Sequence, residues 1–202
     1  SQWMSSEGVS VDSTIQLIDI CKTYRGTVDT PVLFGINLSF SPGTCSAVIG
    51  ESGSGKTTLM NIMGTLDKPT RGEVVIAGKS TSTMNQRQLA ELRNETIGFI
   101  FQFHYLLPEF TVLENVLMPS LIQGGKPARE TIERADYLLE MVGILKLKNK
   151  RPTQISGGEQ QRTAIARALI NNPKIILADE PTGNLDSETT LKICSTFGEI
   201  KK

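Results

Sequence analysis

The sequence predicts an α/β fold with a parallel-sheet core, an N-terminal antiparallel β layer and an inserted helical subdomain. Two apolar–polar stretches near the N-terminus predict the antiparallel layer. Short apolar runs further along the chain are typical of strands buried in a parallel sheet. Two stretches with helical apolar spacing lie between the last two of these runs, and they predict the helical subdomain.

The composition of the 202 residues excludes several functional classes. Lys and Arg total 21 and Asp and Glu total 21, and this balance argues against a nucleic-acid-binding surface. No apolar run approaches the roughly 20 residues of a membrane span, so we expect no direct span. Residues 1–10 lack the features of a secretory signal. We interpret them as a disordered or vector-derived leader before a single domain, residues 11–202.

The first elements predict the antiparallel layer and lead into the core. Residues 15–20 alternate between apolar and polar side chains, as a half-buried strand does, and residues 32–40 predict a second strand. The apolar run at residues 45–49 predicts a buried strand. A helix is predicted from residue 59 onwards, so a strand and a helix flank the segment between them.

That segment, residues 50–58, fits the phosphate-binding pattern G-x-x-x-x-G-K-[ST] of P-loop NTPases with a RecA-like core. Its glycines let successive backbone N–H groups point at one anion, and the next helix adds its positive dipole end. Lys56 can reach the β- and γ-phosphates, and the Thr57 hydroxyl can bind Mg²⁺. A glycine-rich turn that matches by chance is the alternative. The candidate phosphate-binding residues are Gly50, Glu51, Ser52, Gly53, Ser54, Gly55, Lys56, Thr57 and Thr58.

The remaining elements surround a helical insert. Three are predicted before it: a strand at residues 73–77, a helix at 86–95 and a buried strand at 97–101, which ends at Gln102. Helical spacing at residues 111–122 and 128–142 indicates two amphipathic helices. We interpret residues 103–152 as a helical subdomain inserted between the core segments 11–102 and 153–202.

Two acids follow the last apolar run. A helix is predicted at residues 156–171, a buried strand at 175–178 and a closing helix at 190–200. Asp179 and Glu180 come directly after the strand, at the end where ligands of open α/β sheets bind. Asp179 is suited to hold Mg²⁺, and Glu180 to polarise a water for attack on the γ-phosphate. A solvated acid pair at a strand end is the alternative.

Residues 155–162, Ile-Ser-Gly-Gly-Glu-Gln-Gln-Arg, resemble the signature segment of ABC ATPases, which usually reads Leu-Ser-Gly-Gly-Gln. With the phosphate loop, Gln102, the acids after residue 178 and residues 183–186, the resemblance covers nearly the whole chain. Residues 101–116 are similar to the ATP-binding subunit of the lipoprotein-releasing transporter of Gram-negative bacteria. Residues 181–186 agree with that branch, although relatives that export macrolides or act in cell division share them.

The resemblance implies roles for single residues. Tyr24 matches the aromatic residue that stacks on adenine, with an ordinary strand-end tyrosine as the alternative. Gln102 matches the glutamine that contacts Mg²⁺ and the attacking water and senses the membrane partner. The candidate catalytic residues are therefore Glu180, Lys56 and Gln102, and the candidate magnesium ligands are Thr57, Gln102 and Asp179.

The resemblance also implies a homodimer. Ser156, Gly157 and Gly158 match residues that contact the γ-phosphate of ATP bound to the opposite subunit, although read alone they are a helix cap. Asp186 matches the loop that crosses the dimer interface. Two chains would pack head to tail around two ATP molecules, with each site built from both chains.

The implied function is that of an ATP-binding and ATP-hydrolysing subunit that powers release of lipoproteins from the inner membrane. The chain would be peripheral on the cytoplasmic face and would bind integral membrane transporter subunits through Gln102 and residues 103–115. A regulatory or mechanical ATPase of the cell-division type and the ATPase of a macrolide or peptide exporter are the alternatives. A chromosome-maintenance ATPase is disfavoured, because no sustained heptads separate the phosphate loop from the signature.

Two features depart from the family pattern. Ile155 and Glu159 replace the usual Leu and Gln of the signature. The switch histidine that the family carries beyond Asp186 is absent, since His104 is the only histidine. We therefore expect these 202 residues to lack C-terminal strands of the fold and to expose a sheet edge, which lowers stability. A nucleotide-binding fragment with little ATP turnover is therefore a further alternative.

Overall fold

A computed structural model describes residues 13–122 and 125–179 of the chain. Its strands are β1 (Ile15–Tyr24), β2 (Thr30–Phe40), β3 (Arg71–Ile76), β4 (Lys79–Ser80), β5 (Ile97–Ile100) and β6 (Ile175–Ala178). Its α-helices are α1 (Lys56–Met63), α2 (Gln86–Thr96), α3 (Val112–Leu121), α4 (Arg129–Met141) and α5 (Gly157–Leu169). Short 3-10 helices lie at Leu145–Leu147 and Pro152–Gln154. The described residues divide into two compact units, one that ends at residue 89 and one that begins at residue 90.

The first unit contains an antiparallel sheet with the strand order β2-β1-β3-β4, which confirms the predicted antiparallel layer. Ile15 and Leu17 of β1 are buried and pair with Ile76 and Val74 of β3. The register then shifts, because Asp19 has a φ of 49° and the ladder is irregular around it. After this bulge the buried face of β1 continues with Ile20 and, unexpectedly for a charged residue, Lys22.

The prediction of a buried strand at residues 45–49 is wrong for this structure. These residues form no strand, and Val48 and Ile49 are 49% and 92% exposed. A strand exists only as part of a hydrogen-bonded ladder, and this segment pairs with no strand among the described residues. The apolar run is therefore compatible with a strand, but a strand forms only where a second strand pairs with it.

The second unit contains a parallel pair, β5 and β6, in which Ile97 pairs with Ile175 and Ile100 with Ala178. α5 lies directly on this pair, since a Cβ added to Gly98 of β5 would stand 2.4 Å from the Ala168 carbonyl oxygen of α5. The core between α3, α4, α5 and β5 is apolar. Its fully buried side chains include Ile100, Val112, Val116, Leu138, Leu139, Ile165 and Leu169.

The predicted helices of the insert are confirmed as α3 and α4. Thr111 begins α3 with a capping box, in which its side chain accepts from the Glu114 backbone N–H and its own backbone N–H donates to the Glu114 carboxylate. None of the helices in the described part of the chain is long and apolar enough to cross a membrane. The helix predicted at residues 190–200 lies outside the described residues.

Candidate nucleotide-binding site

The phosphate loop, residues 50–58, leads into α1 at Lys56. Gly55 is the N-cap of α1 and has a φ of 90°, in the left-handed region that favours glycine. A Cβ on Gly55 would lie 3.0 Å from Val32 Cγ1 and 3.1 Å from Leu33 Cδ2. Within the described residues, no side chain caps α1 and its first turn holds no acid. This N-terminus therefore offers an anion a positive dipole end with no side-chain carboxylate competing for it.

Lys56 places its ammonium inside the same loop. Its Nζ donates to the carbonyl oxygens of Gly50 and Glu51, at 2.8 Å and 2.7 Å. The Ser54 backbone N–H also donates to Glu51, at 3.2 Å, and closes the turn. Thr57 is exposed on the first turn of α1. An ammonium, a hydroxyl and a helix N-terminus together match the donors that a magnesium-bound triphosphate requires.

Tyr24 ends β1 and lies beside α1. The residue is 42% exposed. Its Oη donates to Asp67 Oδ2 at 3.1 Å and lies 3.4 Å from Thr58 Oγ1, on the first turn of α1. Lys22 Nζ lies 4.8 Å from the centroid of the Tyr24 ring. An exposed aromatic ring is thus held next to the phosphate loop, within the same unit.

Gln102 and Asp179 lie at one edge of the parallel pair. β5 ends at Ile100 and β6 at Ala178, which pair with each other, and the Asp179 backbone N–H donates to the Ile100 carbonyl at 2.9 Å. Gln102 is exposed and Asp179 is half-buried. The two candidate magnesium ligands of this unit therefore follow the carboxyl ends of neighbouring strands, as the sequence predicts. The predicted strand at residues 97–101 ends one residue earlier in the structure.

The segment after Gln102 turns sharply. His104 and Tyr105 both have left-handed backbones, with φ of 54° and 47°, a conformation that is uncommon outside glycine. Arg167 of α5 donates to both of their carbonyl oxygens, at 2.8 Å to Tyr105. His104 is buried, and burial together with the Arg167 charge lowers its pKa. Phe103 is 73% exposed on the outside of this turn.

The signature segment begins α5. Ser156 is the N-cap with extended backbone, and its backbone N–H and Oγ both donate to Glu159 Oε2, at 2.7 Å and 2.9 Å. The Glu159 backbone N–H returns a bond to Ser156 Oγ at 3.4 Å. Gly157 is exposed, and no described atom lies within 4 Å of a Cβ added there. Gly158 is the second residue of the helix. Glu159 therefore completes a capping box.

Two predicted site residues, Glu180 and Asp186, lie outside the described residues, as does the whole of residues 181–186. The candidate residues fall on both units: the phosphate loop and Tyr24 on the first, and Gln102, Asp179 and the signature on the second. The sequence analysis did not identify Lys22 and Asp67, which lie 45 residues apart and bond to each other. Asp67 accepts from the Tyr24 hydroxyl and Lys22 lies over the Tyr24 ring. A lysine two residues after the buried Ile20 is the signal that could have identified one of them.

Comparisons with known proteins identify the family and the fold. The family model described as ABC transporter matches residues 33–183. A dimeric post-hydrolysis structure of the ATP-binding cassette MJ0796, bound to ADP and phosphate, is 42% identical, with a TM-score of 0.85 over 93% of this chain and 83% of that one. A second dimeric structure of MJ0796, described as a bacterial ABC transporter cassette, is 44% identical, with a TM-score of 0.85 over 92% of this chain and 82% of that one.

Proposed function

This chain belongs to the ABC transporter family, and on that premise we propose that it binds and hydrolyses ATP as the ATP-binding subunit of a transporter. The observation that carries the proposal is the uncapped N-terminus of α1, where Gly55 and Lys56 stand at the phosphate loop. Position 55 requires glycine, because its backbone is left-handed and because a Cβ would lie too close to the Val32 and Leu33 side chains. The lysine supplies a charge that no described carboxylate neutralises.

In this proposal the chain's own groups position the triphosphate for attack. Lys56 exchanges its bonds to the Gly50 and Glu51 carbonyls for bonds to phosphate oxygens, so the loop opens around the anion it binds. Tyr24 receives the base on its exposed ring. The hydrolytic water is oriented by Glu180 and Gln102.

The donor set also fits Mg²⁺, which prefers oxygen ligands. Thr57 contributes a hydroxyl, Gln102 an amide carbonyl and Asp179 a carboxylate. A magnesium ion held by these groups and by phosphate oxygens would neutralise charge that develops on the transferred phosphoryl group. Gln102 and Asp179 follow paired strands of one unit, which supports their acting together. Thr57 belongs to the other unit, and its joining them is part of the proposal.

We extend the proposal to a homodimer that closes head to tail around two ATP molecules. Two structures of MJ0796, at 42% and 44% identity, are dimeric, which supports this arrangement. Each site would then combine the phosphate loop of one chain with Ser156, Gly157 and Gly158 of the other, and Asp186 would cross the interface. The exposure of Ser156 and Gly157 on the signature helix is compatible with this role.

The proposed output is release of lipoproteins from the inner membrane, with the chain bound peripherally to membrane subunits on the cytoplasmic face. Residues 101–116, which resemble the lipoprotein-releasing branch, include several exposed apolar side chains. These are Phe103, Tyr105, Leu107 and Phe110. Exporters of macrolides or peptides and the regulatory cell-division ATPases are alternatives, since they share residues 181–186. Identifying the membrane protein that copurifies with the chain separates these branches.

Hydrolysis of Mg-ATP by the purified chain tests the activity. We expect Lys56→Ala and Glu180→Gln each to lower turnover by about 100-fold or more, because Lys56 binds the phosphates and Glu180 orients the attacking water. Glu180→Gln should still bind ATP, whereas Lys56→Ala should not. Lys148→Met, which removes a lysine paired with Asp136, is the matched control and should retain turnover. ATP binding that is equal in the wild type and Lys56→Ala would contradict the proposal.

A further inference from the structure

Lys22 is a charged residue at a core position. It is 9% exposed, on the face of β1 that also buries Ile20. Its Nζ donates to Asp67 Oδ1 and to the Lys68 carbonyl, both at 2.7 Å, and lies 4.8 Å from the Tyr24 ring centroid. Burying an ammonium is unfavourable compared with an apolar side chain of similar size. The charge at this position therefore has a role beyond filling space.

Asp67 connects Lys22 to the hydroxyl of the same ring. Burial alone would raise the pKa of Asp67, but hydrogen bonds from Lys22, the Lys68 backbone and Tyr24, with the Lys22 charge, lower it below its ordinary value. The carboxylate stays ionised and restrains Tyr24 in two ways, once directly and once through Lys22. One oxygen accepts from Tyr24 Oη at 3.1 Å, and the other holds the ammonium that lies over the ring. The ring is thus held both at its edge and at one face.

The position of the held ring relates it to the phosphate loop. Tyr24 Oη lies 3.4 Å from Thr58 Oγ1, and Thr58 is in the first turn of α1. A nucleotide whose phosphates bind at that helix N-terminus has its base within reach of an aromatic ring that is 42% exposed. Because the ammonium of Lys22 covers one face of the ring, the base can stack only on the opposite face.

We propose that Lys22 and Asp67 are positioning residues, which orient the Tyr24 ring so that one face stacks on the base of the bound nucleotide. This inference rests on the proposed ATP-binding function and assigns part of the base site to two residues that do not touch the phosphates. Lys22 fixes the rear face of the ring, and Asp67 fixes its hydroxyl and keeps Lys22 in place. Removing either residue leaves the phosphate loop intact but allows the ring to rotate.

The experiment compares two ligands that share the phosphates and differ in the base. Dissociation constants for Mg-ATP and for magnesium tripolyphosphate are measured calorimetrically on the purified chain. Tyr24→Ala is the reference variant, and the loss of stacking should lower its affinity for ATP about tenfold. Lys22→Met, of similar length but uncharged, should weaken ATP binding about threefold to tenfold. Both variants should bind tripolyphosphate as the wild type does, which also shows that they are folded.

Two further variants each change one hydrogen-bonding group and keep the size of the side chain. Asp67→Asn keeps the shape and weakens the bond to Lys22, and Tyr24→Phe removes the hydroxyl with its bond to Asp67 and its contact with Thr58. Each should lower affinity for ATP alone, and by less than Tyr24→Ala. Lys148→Met is the matched control, since Lys148 also pairs with an aspartate, at 2.9 Å, on the other unit. It should change neither affinity.

The double variant of Lys22→Met with Tyr24→Ala should bind ATP no more weakly than Tyr24→Ala alone, because Lys22 acts through the ring. An equal loss of ATP and tripolyphosphate affinity in Lys22→Met and in Asp67→Asn, or additive losses in the double variant, would overturn the inference. Unchanged ATP affinity in Tyr24→Ala would also overturn the inference. If ATP binding is then still lost in Lys56→Ala, the proposed function remains supported. A wild-type chain that binds neither ligand overturns both.

Discussion

The N-termini of α1 and α5 are both proposed to contact a phosphate, yet they are built in opposite ways. α1 begins after Gly55, whose backbone is left-handed, and among the described residues it has neither a side-chain cap nor an acid in its first turn. α5 begins after Ser156, whose backbone is extended, and Glu159 completes a capping box. The first terminus leaves its positive end to a ligand, whereas the second places a carboxylate of its own there.

This difference separates the two roles in the proposed site. A helix end without a competing carboxylate can bind an anion from solution. The α5 terminus already holds the Glu159 carboxylate against Ser156, so a phosphate that reaches it must compete with that charge. Such a terminus is suited to a phosphate already fixed elsewhere, as on the opposite subunit of a dimer. The contrast between an open and a self-capped terminus can be tested at equivalent positions.

The largest expected difference comes from adding one methyl group to a glycine at each terminus. Gly55→Ala should lower the free energy of unfolding by about 1–3 kcal/mol, because it forces a left-handed alanine against Val32 and Leu33. Gly157→Ala should change it by less than about 0.5 kcal/mol, since the added Cβ meets no described atom within 4 Å. Urea unfolding of the two variants measures this. Equal losses would remove the distinction between the termini.

A smaller effect is expected from removing the cap of α5. Ser156→Ala should lower the free energy of unfolding by about 1 kcal/mol, because the Glu159 backbone N–H loses its acceptor and the carboxylate loses a donor. Ser156→Thr keeps the hydroxyl and serves as the matched control. The measurement is again urea unfolding. If alanine and threonine behave alike, the capping box seen at Ser156 contributes nothing to stability.

The smallest expected effect is the pH dependence of that same cap. Hydrogen bonds from the Ser156 backbone and side chain lower the pKa of Glu159 below its ordinary value of 4.5. A carboxyl with a lowered folded-state pKa stabilises the fold above pH 4.5, and this contribution is lost as pH falls through the folded-state pKa. Glu159→Gln should therefore reduce the acid loss of stability between pH 6 and pH 3, by about a few tenths of a kcal/mol at this partly exposed site.

The control for this pH series is Glu140→Gln, at an exposed position near the end of α4, where only the backbone carbonyl of residue 140 takes part in the C-cap. Its unfolding curve should keep the acid sensitivity of the wild type. A Glu159→Gln profile that overlays both the wild type and this control would show that the α5 terminus does not depend on its own carboxylate, which contradicts the contrast with α1.

Local patterns in the sequence predicted much of the fold. The helices α3 and α4 follow from apolar spacing, and their bounds differ from the prediction by one residue at each end. The loop before α1 follows from the order of glycines and Lys56. These features are determined by residues a few positions apart, and a sequence displays such neighbours directly.

Features that depend on distant partners could not be predicted in this way. The run at residues 45–49 has the composition of a buried strand, but composition does not determine which edge it pairs with, and its residues are exposed. Lys22 reaches the buried face only because the bulge at Asp19 changes the alternation of β1. Its partner Asp67 lies 45 residues away. Neither the shift nor the pairing is visible in local periodicity.

The two bonds from Arg167 have a mechanical consequence. A guanidinium that binds two adjacent carbonyl oxygens fixes an angle as well as a distance, so His104 and Tyr105 cannot rotate independently of α5. Arg167 lies ten residues after Gly157, about 15 Å along the helix. A load applied at the exposed Phe103 would therefore reach α5 at Arg167, at the end of the helix far from Ser156. Arg167→Lys would connect the turn to α5 through a single ammonium, which does not fix the angle between the two carbonyl groups and the helix.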